Sequence, residues 1–415
     1  MKDKICLGIF LFLAGSRPLV SSMTYPWSDW VYGAGTGLLF LLALDSSSGR
    51  RRELKSWWFL ACGLFVLSTA IAFLRSSCSW EWGLAGLFQG IQIALGVVLG
   101  RWLLKGSLGF RRYSQALLLC TLYLAVDAYG ELHGGLDEME EYVRLYRPDL
   151  LANEELVIRL QNRAAFSTFF YPNALAGFAG LALCLGAARI VVSSGGRSLF
   201  LPTAGFMASA YILFAAKSEG GFLAASFGIV CLSGLQMVRW EVGKRMKILL
   251  GAIVCLLLLL PMFLMTDWTD WFFLNLYKSA RIRWGYWATA FRMIVHHPIL
   301  GMGFGGYETY FTDYAPSWAA YVRNPHSLPL QLWMERGFLG ILSFSYLYFT
   351  AVRGGVGRFR RLLREERIQE GMMWACGVAG VATCLFHALG EVDLSVSGIM
   401  MPLSVLLGIL SAGEE

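Results

Sequence analysis

Trp57-Trp58-Phe59-Leu60-Ala61-Cys62-Gly63-Leu64-Phe65-Val66-Leu67-Ser68-Thr69-Ala70-Ile71-Ala72-Phe73-Leu74 runs without a charged side chain, and Lys55 and Arg75 close it on either side. That is close to the length of about 20 apolar residues that a helix needs to cross the hydrocarbon core of a bilayer. Similar runs recur along almost the whole chain. Candidate spans lie at about 5–22, 28–45, 56–74, 82–100, 113–130, 170–192, 198–216, 221–238, 248–266, 328–352, 371–390 and 394–412, roughly twelve in all. Pro18 and Pro26 interrupt the first two. Composition agrees: 56 % hydrophobic against 15 % charged residues is too apolar for a water-soluble chain of 415 residues. The expected fold is an all-α polytopic membrane protein forming a single integral membrane domain over 1–415.

Charge fixes an orientation. One set of short loops carries Arg50, Arg51, Arg52 and Lys55, then Arg101, Lys105, Arg111 and Arg112, then Arg239, Lys244, Arg245 and Lys247. The same side ends with Arg353, Arg358, Arg360, Arg361, Arg364 and Arg367, whereas the opposite short loops hold only Arg75 and Lys217. The positive-inside rule places the basic set, and with it both termini, in the cytoplasm. The net charge of +7 is therefore spread over topology signals. It forms no single patch, so nucleic acid is not an expected partner. The apolar run after Met1-Lys2-Asp3-Lys4 has no small-residue cleavage site and reads as the first membrane helix. Nine cysteines, scattered singly and without CxxC spacing, read as packing residues rather than a disulfide framework or a zinc site.

Two long segments then fall on the outer side. The first, 131–169, is acidic at its start, with helical periodicity from Glu138 to Arg163. The second, 267–327 between spans nine and ten, carries Trp268, Trp271, Trp284, Trp287 and Trp318. It is too aromatic for disorder and reads as an amphipathic layer at the outer membrane interface. Loops of this length are commonly functional.

Chemistry concentrates in that second segment. Arg281, Arg283 and Arg292 share it with Lys278. Guanidinium groups bind phosphate oxygens bidentately, so the cluster can hold a diphosphate or can contact lipid headgroups along a solvated face. His297-Pro298-Ile299-Leu300-Gly301-Met302-Gly303-Phe304-Gly305-Gly306 ends a helix in a tight turn. No strand precedes it, so close packing of chain segments explains it better than a dinucleotide cradle. His326, flanked by Asn324, Pro325 and Ser327, can accept a proton from a sugar hydroxyl or can simply mark a helix start. Glu335 lies further along the same helix, where an ionisable group is expected to pair with an Arg or line a cavity. His387 and Glu391, with Asp393 beyond, have no third ligand at recognisable metal spacing and read as a polar hairpin. No metal and no cofactor is expected.

At these residues the chain resembles the O-antigen ligase/polymerase superfamily of bacterial membrane glycosyltransferases. Arg283, Trp287, His297, Pro298, Gly301 and Gly303 follow one of its patterns, and His326, Glu335, Gly337, Leu339 and Gly340 follow another. Arg163, Ser167-Thr168-Phe169 and Pro172-Asn173-Ala174-Leu175-Ala176-Gly177 are similar to its segment before a central span, and His387-Ala388-Leu389-Gly390-Glu391-Val392-Asp393-Leu394 to an element near its C-terminal end. The resemblance covers about 160–412. It implies a fold like that of C-type glycosyltransferases and a metal-independent, inverting transfer. The donor it implies is a glycan on undecaprenyl diphosphate, and the acceptor a lipid A-core or a growing glycan. The setting it implies is the periplasmic side of the bacterial inner membrane. By position, Arg283 would hold the donor diphosphate with Arg281, Lys217 or Arg163, and His326 would activate the acceptor hydroxyl. Trp287, Asn324, Glu335, His387 and Glu391 would support them. Two positions depart from the family. Its Ser-Arg-Gly element is Ser218-Glu219-Gly220 here, and Ser327 replaces the usual Asn after the His. A multi-span transporter, suggested by Gln89, Gln92, Asp127 and Lys217–Glu219, and a non-catalytic role in envelope assembly are the alternatives; no inverted repeat supports the first.

Overall fold

Inside a bilayer an apolar run can satisfy its own backbone hydrogen bonds only as a helix or in a closed barrel. In the computed structural model these runs are helices. The structure describes residues 2–20, 25–45, 53–152, 157, 160–193, 196–236, 268–391 and 396–414, and among them there is no strand. In chain order the α-helices are α1 (Lys2–Ser16), α2 (Trp27–Asp45), α3 (Trp57–Leu74), α4 (Trp80–Leu103), α5 (Gly106–Gly130) and α6 (Leu136–Tyr146). Then come α7 (Pro172–Val191), α8 (Phe200–Ala215), α9 (Glu219–Gln236), α10 (Trp268–His296), α11 (Gly306–Thr309) and α12 (Phe311–Tyr314). The last three are α13 (Leu328–Arg364), α14 (Ile368–Ala388) and α15 (Ser397–Ser411).

A helix stands at each expected span except 248–266, which lies outside the described residues, as do Arg239, Lys244, Arg245 and Lys247. Among the described residues five regions are long and apolar enough to cross a membrane: Trp57–Leu74, Trp80–Leu103, Pro172–Val191, Gly196–Ala215 and Ile368–Ala388. Glu219–Leu235 and Ser397–Ser411 are shorter apolar helices. The chain is a polytopic membrane protein, all-helical over the described residues.

Several boundaries differ from the sequence expectation: α5 starts earlier than expected, at Gly106, and α13 runs past the expected 352 to Arg364. α1 stops at Ser16, because Arg17-Pro18-Leu19 tighten into a 3-10 turn that buries Arg17. The helix expected over Glu138 to Arg163 ends at Tyr146, just before Arg147-Pro148, where the residue ahead of a proline is driven out of the helical region.

α15 and α7 form the centre. Every residue of α15 is buried, as an all-round apolar helix should be when other helices surround it. α4 reaches α15 through small residues: a Cβ on Gly100 would lie 2.5 Å from the Val405 carbonyl, and one on Gly408 2.1 Å from that of Val97. A buried polar network ties α15 to the N-terminal helices. Arg17 pairs with Asp29 at 2.6 Å, Gln92 bonds both, and Ser397 donates to Asp29. Each charge is met by its opposite, which is the condition for keeping ions in so apolar a setting.

The loops sort onto two ends of the bundle. At one end Glu53 meets Arg101 and Lys105, Arg101 bonds Ser411, and Ser107 bonds Glu370. At the other end Arg75 meets Gly301, and Ser77 meets Phe304. Nearly half of the expected outer loop 267–327 is the long helix α10, and with Met334 of α13 the loop forms a separate core of Ala290, Met293, Ile294, Met302, Tyr307 and Phe311.

The glycine-rich turn packs as its sequence suggested. α13 is broken at Gly337 (φ 68°, ψ −170°), a conformation open essentially to glycine alone. The turn supplies the backbone partners the break needs. Met302 and Gly303 donate to the carbonyls of Met334 and Glu335, while Phe338 donates to those of Pro298 and Ile299.

Candidate functional site

Four separate elements deliver polar side chains to one point. The middle of α10 carries Arg283. Pro325 and the turn before α13 deliver His326, held at φ 46° with its amide donating to the Asn324 side chain at 3.2 Å. Non-glycine residues rarely adopt that left-handed backbone, although histidine does so more readily than most. The chain leaving α14 presents Glu391, and the first turn of α7, opened by Pro172, presents Asn173.

Glu391 is the hub. It is 4 % exposed, yet it accepts hydrogen bonds from three partners. Arg283 donates to one carboxylate oxygen, Asn173 donates to the same oxygen at 2.7 Å, and His326 Nδ1 lies 3.4 Å from the other. Burial pushes the Glu391 carboxyl up. The bond from His326 and the charges of Arg283, His326 and His387 outweigh that, and the group is held below the ordinary carboxylate value. Its carboxylate also stands beside the N-terminal turn of α7, where the helix dipole favours negative charge. The contact to His326 fixes which nitrogen faces the carboxylate, leaving Nε2 as the lone pair available to a substrate.

The cluster is partly open. Arg283 and His326 keep 23 % and 22 % of their side-chain surface exposed. Arg283 also donates to Ser279, one turn back on α10. Arg283 Nε and the indole N–H of Trp287, one turn further on, are buried without a hydrogen-bond partner among the described residues. The Tyr286 ring lies 5.7 Å from that of His326. Glu219, at the start of α9, lies within electrostatic range of both Arg283 and Glu391, and His387 borders Gly220 on the same side.

Other expected site residues have different company. Arg281 is exposed and lies roughly 200° around α10 from Arg283, so a two-residue offset puts it on another face. Arg163 pairs with Asp137 and Glu140 of α6. Lys217 donates to the Asn162 carbonyl at 3.1 Å, so these two cations form a neighbouring patch. Glu335 accepts from Gln331 and from Arg336, each at 3.0 Å, at the α13 break, where the sequence expected an Arg partner. Asp393 lies outside the described residues, and among those residues no group of His, Cys, Asp and Glu is placed to hold a metal ion.

Sequence reasoning missed Asn173 as a partner and Glu391 as the centre. The available signal was an acid at the end of an apolar span, one helical turn after a histidine.

Residues 204–345, from α8 to the first part of α13, match the family described as O-antigen ligase. Over that segment the chain is similar to the O-antigen ligase family. The match takes in Lys217, Glu219, Arg283, Trp287, His326 and Glu335, whereas Asn173, His387 and Glu391 lie outside it. No curated protein matches the chain. The match to the O-antigen ligase family suggests ligase- or polymerase-type glycosyl transfer between a lipid-linked glycan and an acceptor.

Proposed function

We propose that the protein transfers a glycan from undecaprenyl diphosphate to an acceptor hydroxyl on the outer, periplasmic face of the inner membrane. In this reading the chain crosses the bilayer about twelve times with both termini in the cytoplasm, and its acceptor is a lipid A-core or a growing glycan. The observation that carries the reading is the meeting of Arg283 and His326, from separate elements, on the buried carboxylate of Glu391.

The chemistry follows from the atoms present. His326 Nε2 takes the proton of the acceptor hydroxyl as its oxygen attacks the anomeric carbon from the face opposite the diphosphate. A bond from acceptor oxygen to anomeric carbon forms, the bond from that carbon to phosphate oxygen breaks, and its electron pair leaves with undecaprenyl diphosphate. Configuration inverts. Glu391, ionised and facing Nδ1, stabilises the imidazolium that forms. Arg283 retains donors beyond those given to Glu391 and Ser279, and these neutralise the departing diphosphate. The free Trp287 indole N–H adds a neutral donor on the same stretch of helix. Residue charge alone does not suffice for a diphosphate here, because Glu391 and Glu219 oppose Arg283. In this reading Lys217 supplies the remaining positive field, since Arg163 is taken up by Asp137 and Glu140.

The polar residues that suggested transport have structural partners: Gln92 joins Arg17 and Asp29, Gln89 bonds Ser397, and Asp127 accepts from Ser167. The direct test gives purified protein an undecaprenyl-diphosphate glycan in the absence of divalent metal and measures release of undecaprenyl diphosphate. Release is expected, and it should collapse in His326→Ala and Arg283→Ala. Turnover indifferent to both substitutions would overturn the assignment, and movement of substrate along an ion gradient with no donor consumed would favour transport.

A further inference from the structure

A second cationic recess opens on the opposite side of α10. Nine positions separate Arg283 from Arg292 (292 − 283 = 9), about two and a half helical turns, so the two guanidinium groups leave opposite faces. Arg292 faces a cavity of about 960 Å³ that Arg75, His296, His297, Asp313 and Tyr314 also line. That volume is in the range of small-ligand sites.

The cations there are oriented but not neutralised. Arg75 Nε donates to the Gly301 carbonyl at 3.2 Å, and Arg292 donates to the Tyr314 carbonyl at 3.1 Å. Each bond aims a guanidinium and leaves its other N–H groups for a ligand. Among the described residues neither arginine makes an ion pair, although Asp313 shares the same cavity wall. His296 Nδ1 lies 2.8 Å from the Arg292 carbonyl, so that nitrogen carries the proton, and His297 Nε2 lies 3.3 Å from the Tyr314 hydroxyl. Two forked donors lining one recess suit a phosphate. One carboxylate and tyrosine rings beside them suit an ammonium.

The rim is apolar. Leu74, next to Arg75, is 82 % exposed, and Ile299, two residues after His297, is 72 % exposed. Exposed Leu300, next to the Gly301 that Arg75 bonds, continues this border. A charged recess edged by large exposed apolar side chains fits an amphiphile whose headgroup enters and whose chains lie outside.

We propose that this recess binds the phosphoethanolamine headgroup of a membrane lipid, with phosphate on Arg75 and Arg292, the ammonium on Asp313, and acyl chains along Leu74, Ile299 and Leu300. The site is separate from the Glu391 cluster and does not depend on the transfer reading.

The test exchanges the full-length protein into mixed micelles holding equal phosphatidylethanolamine and phosphatidylglycerol and measures bound lipid by native mass spectrometry. One phosphatidylethanolamine per chain is expected to be retained in preference to phosphatidylglycerol. Arg75→Ala with Arg292→Ala should lower retention at least tenfold while the thermal midpoint holds. If that pair of changes lowers the midpoint, Arg75→Gln and Arg292→Gln taken singly should each still lower retention severalfold. Asp313→Asn should keep lipid bound but erase the preference for phosphatidylethanolamine. Water-soluble glycerophosphoethanolamine should displace the lipid poorly. Equal retention by the wild type and the arginine variants overturns the site, preference for phosphatidylglycerol overturns the headgroup assignment, and displacement by equimolar glycerophosphoethanolamine overturns the role of the apolar rim.

Discussion

The Glu335–Arg336 pair and the Arg283–Glu391 pair are built from the same two side-chain types, and a motif pointed to both regions. Arg336 is 2 % exposed; it meets Glu335 at 3.0 Å and Thr69 at 3.4 Å, and it lies over the Phe65 and Phe304 rings. Backbone bonds to the glycine-rich turn surround it. Arg283 meets Glu391 but stays partly open, and its Nε has no partner among the described residues. Completed hydrogen bonding marks a brace for the broken helix, and leftover donors on an otherwise enclosed cluster mark a place for something else to bind. Sequence spacing alone gives the two pairs equal standing.

If that contrast is right, the largest effects belong to the open pair. His326→Ala and Arg283→Ala should each lower transfer by about 10³-fold, the scale of a lost general base or of a lost charge clamp, with little change in thermal midpoint. A single-turnover assay beside a melting curve separates activity from folding. Arg336→Met should behave in the opposite way. It leaves Glu335 buried without its partner, so stability should fall by about 3 kcal/mol while activity per folded molecule holds. Loss of activity in a fully folded Arg336→Met protein would erase the distinction.

Glu391→Gln comes next, with an expected fall in kcat of about 10–100-fold, because His326 loses the charge that stabilises its protonated form. Its pH behaviour has a definite sign. A carboxyl held below its ordinary value adds stability that is fully present above the unfolded-state value of about 4.3 and is lost as pH falls through the lower folded value. The gap in thermal midpoint between wild type and Glu391→Gln should therefore be full at neutral pH and close only below about pH 4. A gap that closes near pH 6 would mean that Glu391 is not the titrating group.

Smaller effects test the rim. Glu219→Gln should lower the KM for the lipid-linked donor by about threefold, the gain expected on removing one partly screened repulsion, and leave kcat nearly unchanged. Arg281→Ala should change transfer by less than about twofold, since an exposed cation on another helix face contributes only weak, screened charge. A large loss at Arg281 would show that α10 presents a different face to the donor.

Much of this molecule was legible before any coordinates. Apolar runs near bilayer length became helices because hydrocarbon leaves the backbone few alternatives. The spacing of Arg283, Trp287 and His326 singled out the residues that gather in the candidate site. The glycine turn read as a packing device docks onto Gly337, and the Arg partner expected for Glu335 is its neighbour Arg336. The two-residue offset of Arg281 was also readable from helix geometry, once the segment was taken as one continuous helix.

Glu391 as the hub was beyond such reading, and so was the partnership with Asn173. Local patterns report what lies within a few turns of one helix. A hub joined to α7, α10 and the turn before α13 exists only once those elements are packed. The sequence by itself determined that this chain builds helices of membrane length and which side chains bring charge or a proton-accepting nitrogen, because apolar length and residue chemistry are properties of short segments. Tertiary structure alone decided which of the equipped residues meet and which are used up as braces, because ionic partners are chosen by distance in space and by what burial leaves unpaired.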